Sequence, residues 1–170
     1  FALLAMTALV LRGKCTLTEI FFYHLQIQRL EKALPRLLEK SLERDWHVCL
    51  QMRTDEKCAA LNELLWNVGE DGFLPHGTAA DGDVEFQPIY LTTGSENPNG
   101  AQIRFFVESA QIAPVLAATQ IPYERIVIMF DGNDENELND ARAQWKALKE
   151  TGAQMSYHQQ TDNGGWEKKA

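Results

Sequence analysis

The sequence predicts a single α/β domain in which a mostly parallel central sheet is flanked by helices. Short apolar runs rich in β-branched and aromatic residues alternate with longer runs of helical periodicity. The connections between them are short, as in parallel strands that are joined by crossover helices. A chain of 170 residues fits one domain and is long enough to bury a sizeable core.

The first half of the chain reads as strand, helix, strand, helix. Residues 19–25 (EIFFYHL) and 47–52 (HVCLQM) are short, apolar strands. Residues 27–45 place one apolar stripe along a helix, interrupted by Pro35, which predicts a kink or a late start. Thr54 is the expected N-cap of a helix over residues 55–68, because acidic residues follow it in the first turn.

The second half continues the alternation after a loop at residues 69–86, which is rich in Gly, Asp and Pro. We predict strands at 87–93, 101–107 and 125–131, with a short irregular or helical piece at 109–120. A helix over 134–151 ends at Gly152, and a last strand covers 153–160. Residues 17–166 are expected to form the domain, with a doubtful leader at 1–16, either disordered or a start-site artefact, and a frayed tail at 167–170.

Composition limits the classes of function. A net charge of −8 argues against a non-specific coat for DNA, which usually requires a basic surface. Three cysteines without CxxC spacing argue against a disulfide framework or a zinc ribbon and favour a reducing, cytoplasmic location. The apolar run in residues 1–16 is too short to span a bilayer, so we expect no membrane partner.

Motifs for nucleotide binding and catalysis are absent from the sequence. It contains no GxxxxGK[ST], no GxGxxG after the first strand, no GxSxG and no HExxH. The four histidines lie far apart, and His24 and His47, at strand ends, are interpreted as structural rather than catalytic residues. We therefore expect no cofactor and no catalytic residue.

The stretch FDGNDENELNDARAQWKAL at 130–148 begins like a calcium loop but fails as one. The sixth position of such a loop should be Gly and is Asn136, and the twelfth should be a bidentate Glu and is Arg142. The acids are better explained as caps of the following helix. A magnesium site that uses Asp131 with Asp81 or Asp83 remains an alternative, and it would imply a phosphohydrolase or a nucleotide-binding protein.

Two groups of residues have candidate binding roles. Arg142, Trp145 and Lys146 share one helical face. They are either a core-facing Trp flanked by solvated charges or a pocket for a ligand end that is both anionic and apolar. The apolar loop after Trp66, with Phe73, Leu74 and Pro75, is either a core plug or a docking site, and a dimerisation module is a weaker option.

Three blocks of the sequence, taken in order, resemble the chi subunit of bacterial DNA polymerase III holoenzyme over about residues 18–166. They are TEIFFYHL, then DEK…LNELLW followed by FLPHG, and RIVIMFDG…ARAQWKALKETG. The resemblance implies a Rossmann-like fold without catalysis of its own, as a subunit of a DNA-directed DNA polymerase. It also implies a place in the clamp-loader assembly during DNA replication.

The resemblance further implies two binding surfaces. One takes the acidic, Phe-ending C-terminal tail of single-stranded DNA-binding protein, which leaves DNA as an indirect partner only. The residues that match this surface are Phe130, Arg142, Trp145 and Lys146. Leu138 stands where the family often has a basic residue, which predicts weaker salt-dependent binding.

The other implied surface faces the psi subunit or an equivalent clamp-loader or helicase partner. The residues that match it are Trp66, Phe73, Pro75 and His76.

Overall fold

The computed structural model describes residues 18–68, 72–118 and 120–170; the predicted leader at 1–16 lies outside them. In these ranges the chain forms eight strands and four helices. The strands are β1 (Glu19–Leu25), β2 (Val48–Gln51), β3 (His76–Gly77), β4 (Ile89–Thr92), β5 (Ile103–Phe106), β6 (Arg125–Asp131), β7 (Met155–Gln160) and β8 (Trp166–Lys168). The helices are α1 (Leu30–Leu42), α2 (Asp55–Trp66), α3 (Ala113–Leu116) and α4 (Glu135–Glu150).

All eight strands belong to one sheet in the order β3-β4-β2-β5-β6-β1-β7-β8. Every neighbouring pair is parallel except β7 and β8, which are antiparallel. This topology confirms the predicted α/β class with a mostly parallel central sheet, and it is that of a Rossmann-like domain. The carboxyl ends of the parallel strands therefore meet along one edge of the sheet, where α/β proteins usually place their sites.

The sheet buries an apolar cluster on each of its faces. The buried stripe of α1, with Ala33, Leu34 and Leu38, packs on the same side as Leu61 and Leu65 of α2. Ala141 and Leu148 of α4 pack on the other side with Phe22 of β1. Successive residues of β1 point to opposite faces, so one strand supplies both clusters.

Helix α1 begins three residues later than the sequence pattern suggests, and it passes through Pro35 without ending. The late start has a visible cause at Gln160. Its Oε1 accepts hydrogen bonds from the backbone N–H groups of Gln26, Ile27 and Gln28 at 3.2, 2.9 and 2.8 Å. These bonds hold residues 26–28 in a non-helical turn against the end of β7.

Strands β3 and β8 were not expected. β3 has only two residues, inside the predicted loop, and β8 consists of Trp166 and two polar residues. The prediction of a frayed tail at 167–170 is wrong, because β8 pairs with β7 and the N–H of Tyr157 donates to the carbonyl of Ala170 at 2.9 Å. Backbone hydrogen bonds and the packing of Trp166 on Tyr23, with ring centroids 4.6 Å apart, hold this edge.

The helix caps follow the sequence prediction. Thr54 Oγ1 accepts from the N–H of Lys57 at the start of α2. Asp134 Oδ1 accepts from the N–H groups of Asn136 and Glu137 at the start of α4, at 2.8 and 3.1 Å. The acids of the calcium-like stretch are thus partly used as caps. No helix of the described ranges is both long and apolar enough to cross a membrane.

Candidate functional site

The cationic face of α4 starts near the carboxyl end of β1, where the charge of Arg142 acts on His24, and its Trp145 lies over Phe22 of β1 and Tyr157 of β7. Arg142 and Lys146 are exposed, whereas Trp145 between them is half-buried. None of the ion pairs among the described residues involves Arg142, so its guanidinium is available to a ligand in this part of the chain. A guanidinium in this setting can pair with a carboxylate through two parallel hydrogen bonds.

Trp145 combines the two alternatives that its sequence position left open. One edge of its indole packs on the core, because the ring meets Phe22 edge-on with centroids 5.0 Å apart. It also meets Tyr157 edge-on, with centroids 5.9 Å apart. The side chain is half-buried, so part of it reaches solvent. Trp145 is therefore both a core residue and an apolar wall one helical turn from Arg142.

Phe130, which the resemblance assigns to the tail-binding surface, is buried, with 4% of its surface exposed. The sheet register pairs it with His24 of β1, and the two rings stack with centroids 5.0 Å apart and an interplanar angle of 18°. The hydroxyl of Tyr157 lies 2.6 Å from His24 Nδ1. A ligand at this edge would therefore meet His24 and Tyr157, with Phe130 supporting them from below.

Sequence reasoning did not assign His24 or Tyr157 to this site. They are far apart in sequence, and only the parallel pairing of β1 with β7 brings them together. Desolvation lowers the pKa of His24, Asp131 opposes this effect, and the positive charge of Arg142 adds to the lowering. Desolvation raises the pKa of Tyr157, and Arg142 opposes it. Arg142 is thus close enough to both rings to affect their ionisation.

Leu138, one turn before Arg142, is half-buried and packs against the apolar cluster under α4. Its side chain extends the apolar part of the surface in place of a charge. The cationic part of this face consists of Arg142, Lys146 and the exposed Lys149.

The second predicted surface is an exposed aromatic patch. Trp66 is 58% exposed and Phe73 is 72% exposed, and their ring centroids lie 6.0 Å apart. The His76 ring is tilted by 53° against that of Trp66, with centroids 4.7 Å apart, and its two ring nitrogens face the carbonyl oxygens of Leu74 and Asn62. Pro75, between Leu74 and His76 in sequence, is half-buried. Leu74 is buried in the core. The structure therefore leaves Trp66 and Phe73 at the surface.

A concavity of about 900 Å³ lies between helices α1 and α2. One end is lined by Leu64, Asn67 and Val68, which flank Trp66 in sequence, and the exposed charged residues of α1 line another part. It lies on the opposite side of the sheet from Arg142, since α1 and α4 cover different faces. The two predicted surfaces are thus separate.

The topology contradicts the alternative magnesium site. Asp131 ends β6, and its Oδ1 accepts from the N–H and side-chain amide of Asn133 at 2.8 and 3.0 Å. Asp81 instead caps a short helical turn before β4, through Thr78. β4 and β6 are three strand spacings apart in the sheet, roughly 14 Å, and Asp81 and Asp83 lie near the amino end of β4. These acids cannot converge, and the described residues contain no cluster of three or more metal-ligating side chains.

Comparison with known proteins identifies the relatives of this chain. The model of the family described as "DNA polymerase III chi subunit, HolC" matches residues 17–156. A curated protein of Rickettsia prowazekii (strain Madrid E), named "Probable DNA polymerase III subunit chi", is 30% identical over 111 residues. That alignment covers 64% of this chain and 67% of the relative.

Proposed function

Because the chain belongs to the chi subunit family of DNA polymerase III, we propose that it is a non-catalytic accessory subunit of the polymerase that binds single-stranded DNA-binding protein. The bound element is the acidic, Phe-ending C-terminal tail of that protein. The observation that carries the proposal is the exposed Arg142, which forms no ion pair with the residues that the structure describes, beside the half-buried Trp145. DNA is contacted indirectly, because a chain of net charge −8 repels a polyanion at long range.

The chemistry of the α4 face matches both properties of such a tail. The terminal carboxylate pairs with Arg142, and Lys146 adds a second positive charge one turn away. The terminal aromatic side chain packs against Trp145 and the edge of Tyr157, which are in contact with each other. The positive charges are few and local, so the site favours one defined anionic end over a long polyanion.

A pull-down tests the function directly. The chain is mixed with full-length single-stranded DNA-binding protein and with the same protein lacking its last few residues. Retention of the full-length protein alone is the expected result. Equal retention of both proteins, or of neither, would contradict the proposal.

The aromatic patch of Trp66 and Phe73 is proposed as the surface for a second subunit, psi or an equivalent clamp-loader or helicase partner. Large exposed aromatic side chains are favoured interface anchors, and both rings are more than half exposed. The His76 ring, whose Nδ1 lies 2.6 Å from the carbonyl oxygen of Leu74, packs against Trp66 and extends the patch. The patch and the α4 face can be occupied together because they lie on different sides of the domain.

Replacing Phe73 with alanine tests the second surface. We expect the free energy of unfolding to change little, because the side chain is 72% exposed. Binding of the partner subunit should weaken by about 2 kcal/mol or more, roughly 30-fold, as for other buried interface anchors. Co-purification with a co-expressed psi-type subunit measures the loss. The exposed Phe86 offers a matched control, and an equal effect of Phe86→Ala would count against the assignment.

Replacing Leu138 with lysine should strengthen tail binding at low salt. The new ammonium would stand one turn from Arg142, where an exposed ion pair contributes about 0.2–1 kcal/mol, up to roughly fivefold in affinity. The gain should vanish at high salt, because screening removes it. Fluorescence anisotropy titrations of an acidic peptide at two salt concentrations measure both effects.

Leu138→Gln is the control for the lysine variant, because it removes the same apolar contact without adding charge. If the lysine and glutamine variants bind equally at low salt, position 138 does not contribute charge to the site.

A further inference from the structure

His24 adds a titratable ring to the carboxyl end of β1 beside Arg142. The ring is fixed from below by Phe130 and from the side by the hydroxyl of Tyr157. The N–H of Gly132 donates to the carbonyl of Leu25 at 2.8 Å, which ties the loop after β6 to the end of β1. Gly132 then lies so close to His24 Nε2 that no Cβ would fit between them. The imidazole is therefore held in one orientation.

The orientation leaves one nitrogen of His24 for a ligand. Nε2 makes no hydrogen bond to a described residue, and it is not one of the buried polar atoms that lack a partner in those ranges, so it reaches solvent. When the proton of the neutral ring is on Nε2, Nδ1 accepts from the Tyr157 hydroxyl. In the protonated ring both nitrogens donate, and the Tyr157 hydroxyl can rotate to accept from Nδ1. Both protonation states thus fit the same geometry and present an N–H donor at Nε2.

The charged and titratable groups around His24 come from three elements. Asp131 faces it from the end of β6, Tyr157 from β7 and Arg142 from α4. Desolvation is the largest influence and lowers the pKa of His24, Asp131 raises it, and Arg142 lowers it further. With a pKa below its ordinary value, His24 is mostly neutral near pH 7 in the free protein.

We propose that His24 is a further residue of the anion site and takes up a proton when an acidic peptide binds at Arg142. The inference rests on the proposed function, because it concerns the same ligand. A carboxylate paired with Arg142 offsets the positive charge that disfavours the imidazolium, and it places a negative charge near Nε2. The imidazolium then donates to the peptide, while Tyr157 keeps the ring in place.

The sign of the pH dependence follows from this coupling. Binding raises the pKa of His24, so the complex binds more protons than the free protein at any pH between the two values. In that window the Kd falls as the pH falls, by at most tenfold per pH unit for one proton. Below the pKa of the free protein the dependence ends. Because the pKa of His24 in the free protein is lowered, the window begins below the ordinary pKa of a histidine.

Calorimetric titration tests the inference. A synthetic acidic peptide that ends in a free phenylalanine carboxylate is titrated in two buffers with different ionisation enthalpies, across the same pH range. For the unaltered chain the observed enthalpy should depend on the buffer, giving an uptake of a fraction of one proton. For His24→Gln the uptake should vanish and the Kd should become independent of pH.

His158→Gln is the matched control. His158 is also half-buried, its pKa is also lowered by desolvation first, and it lies on the neighbouring strand β7. Its side chain stacks on Tyr23, on the opposite face of the sheet from His24. This variant should keep the full proton uptake.

The possible outcomes separate the inference from the function. Binding without proton uptake in the unaltered chain overturns the role of His24 alone and leaves the peptide site standing. The role of His24 is also overturned if proton uptake is lost in the His158→Gln variant and retained in the His24→Gln variant. Absence of any binding heat at every pH overturns the proposed function, and the inference with it.

Discussion

Replacing Arg142 with alanine is expected to weaken binding of the acidic tail peptide by roughly 10- to 150-fold. The estimate corresponds to about 1.5–3 kcal/mol, the usual contribution of a hydrogen bond to a charged group. Folding should be unaffected, because the side chain is exposed and takes part in none of the ion pairs of the described residues. Fluorescence anisotropy gives the Kd, and urea unfolding gives the stability.

Arg36→Ala is the control for net charge, because Arg36 is an exposed arginine on α1, away from the α4 face. It changes long-range attraction by the same one charge without touching the site. Arg142→Lys should give an intermediate Kd, since it retains the charge and loses the planar fork. Equal affinities of the Arg142→Ala and Arg36→Ala variants would refute the placement of the carboxylate.

A second readout of the Arg142 variant needs no peptide. Arg142 helps to lower the pKa of His24, so its removal should raise that pKa in the free protein. An NMR titration of the His24 ring measures the change. The His158 ring serves as the internal reference, because the charges that lower its pKa are Lys168 and Arg125.

The class of fold could be predicted from the sequence because apolar residues recur in each main element at the spacing of a helix or a strand. The buried residues Ala33, Leu34 and Leu38 recur at helical spacing, and the seven residues of β6 are almost continuously buried, as expected for a central parallel strand. Strand β8 has no such signal. Its side chains are polar or half-exposed, and it exists because backbone groups of β7 were left to pair.

The candidate site was predictable only where it lies on one element. Arg142, Trp145 and Lys146 share α4, so helical spacing alone places them together. His24 and Tyr157 come from different strands, and local spacing cannot report a contact between them. The burial of Phe130 was also beyond local reasoning, because it depends on His24 covering its ring.

The burial of Arg104 was not predicted from the sequence. Arg104 lies in β5 between apolar neighbours, is 0% exposed, and fits an ordinary strand pattern if its charge is ignored. Its acceptors come from elsewhere in the chain. Nε and Nη2 donate to Gln51 Oε1 at 3.0 and 2.6 Å, and Nη2 also donates to the carbonyl of Gly94 at 2.6 Å. Nη1 donates to the carbonyl of Glu96 and to the hydroxyl of Tyr123, both at 2.8 Å.

These bonds fasten the loop after β4 to the middle of the sheet. The Glu96 carboxylate in that loop accepts from the hydroxyls of Tyr90 and Thr92. Desolvation acts to raise the pKa of Glu96. The two side-chain hydrogen bonds, a backbone hydrogen bond and the positive charge of Arg104 outweigh it, so the pKa is lowered overall. The same core raises the pKa of the Cys49 thiol to about 12, chiefly through desolvation, and Arg104 opposes that rise.

Replacing Arg104 with methionine should therefore reduce the free energy of unfolding by about 3 kcal/mol or more. Methionine fills much of the volume but leaves the Gln51 side chain and two loop carbonyls without their donor, at about 1–3 kcal/mol for each group that stays buried. The loss is a large share of a total stability that is about 5–15 kcal/mol for most domains. Urea unfolding followed by tryptophan fluorescence measures it.

Arg53→Met provides the matched control for Arg104, since Arg53 is exposed and its pair with Asp140 spans 3.4 Å. That substitution should cost less than about 1 kcal/mol. Combining Arg104→Met with Gln51→Met should recover part of the loss, because the second change removes one of the unpaired acceptors, and a double-mutant cycle gives the coupling energy. If Arg104→Met unfolds at the same urea concentration as the unaltered chain, the buried guanidinium does not fasten the loop. In that case water or a shift of residues 94–96 must satisfy the carbonyl groups as well as the arginine does.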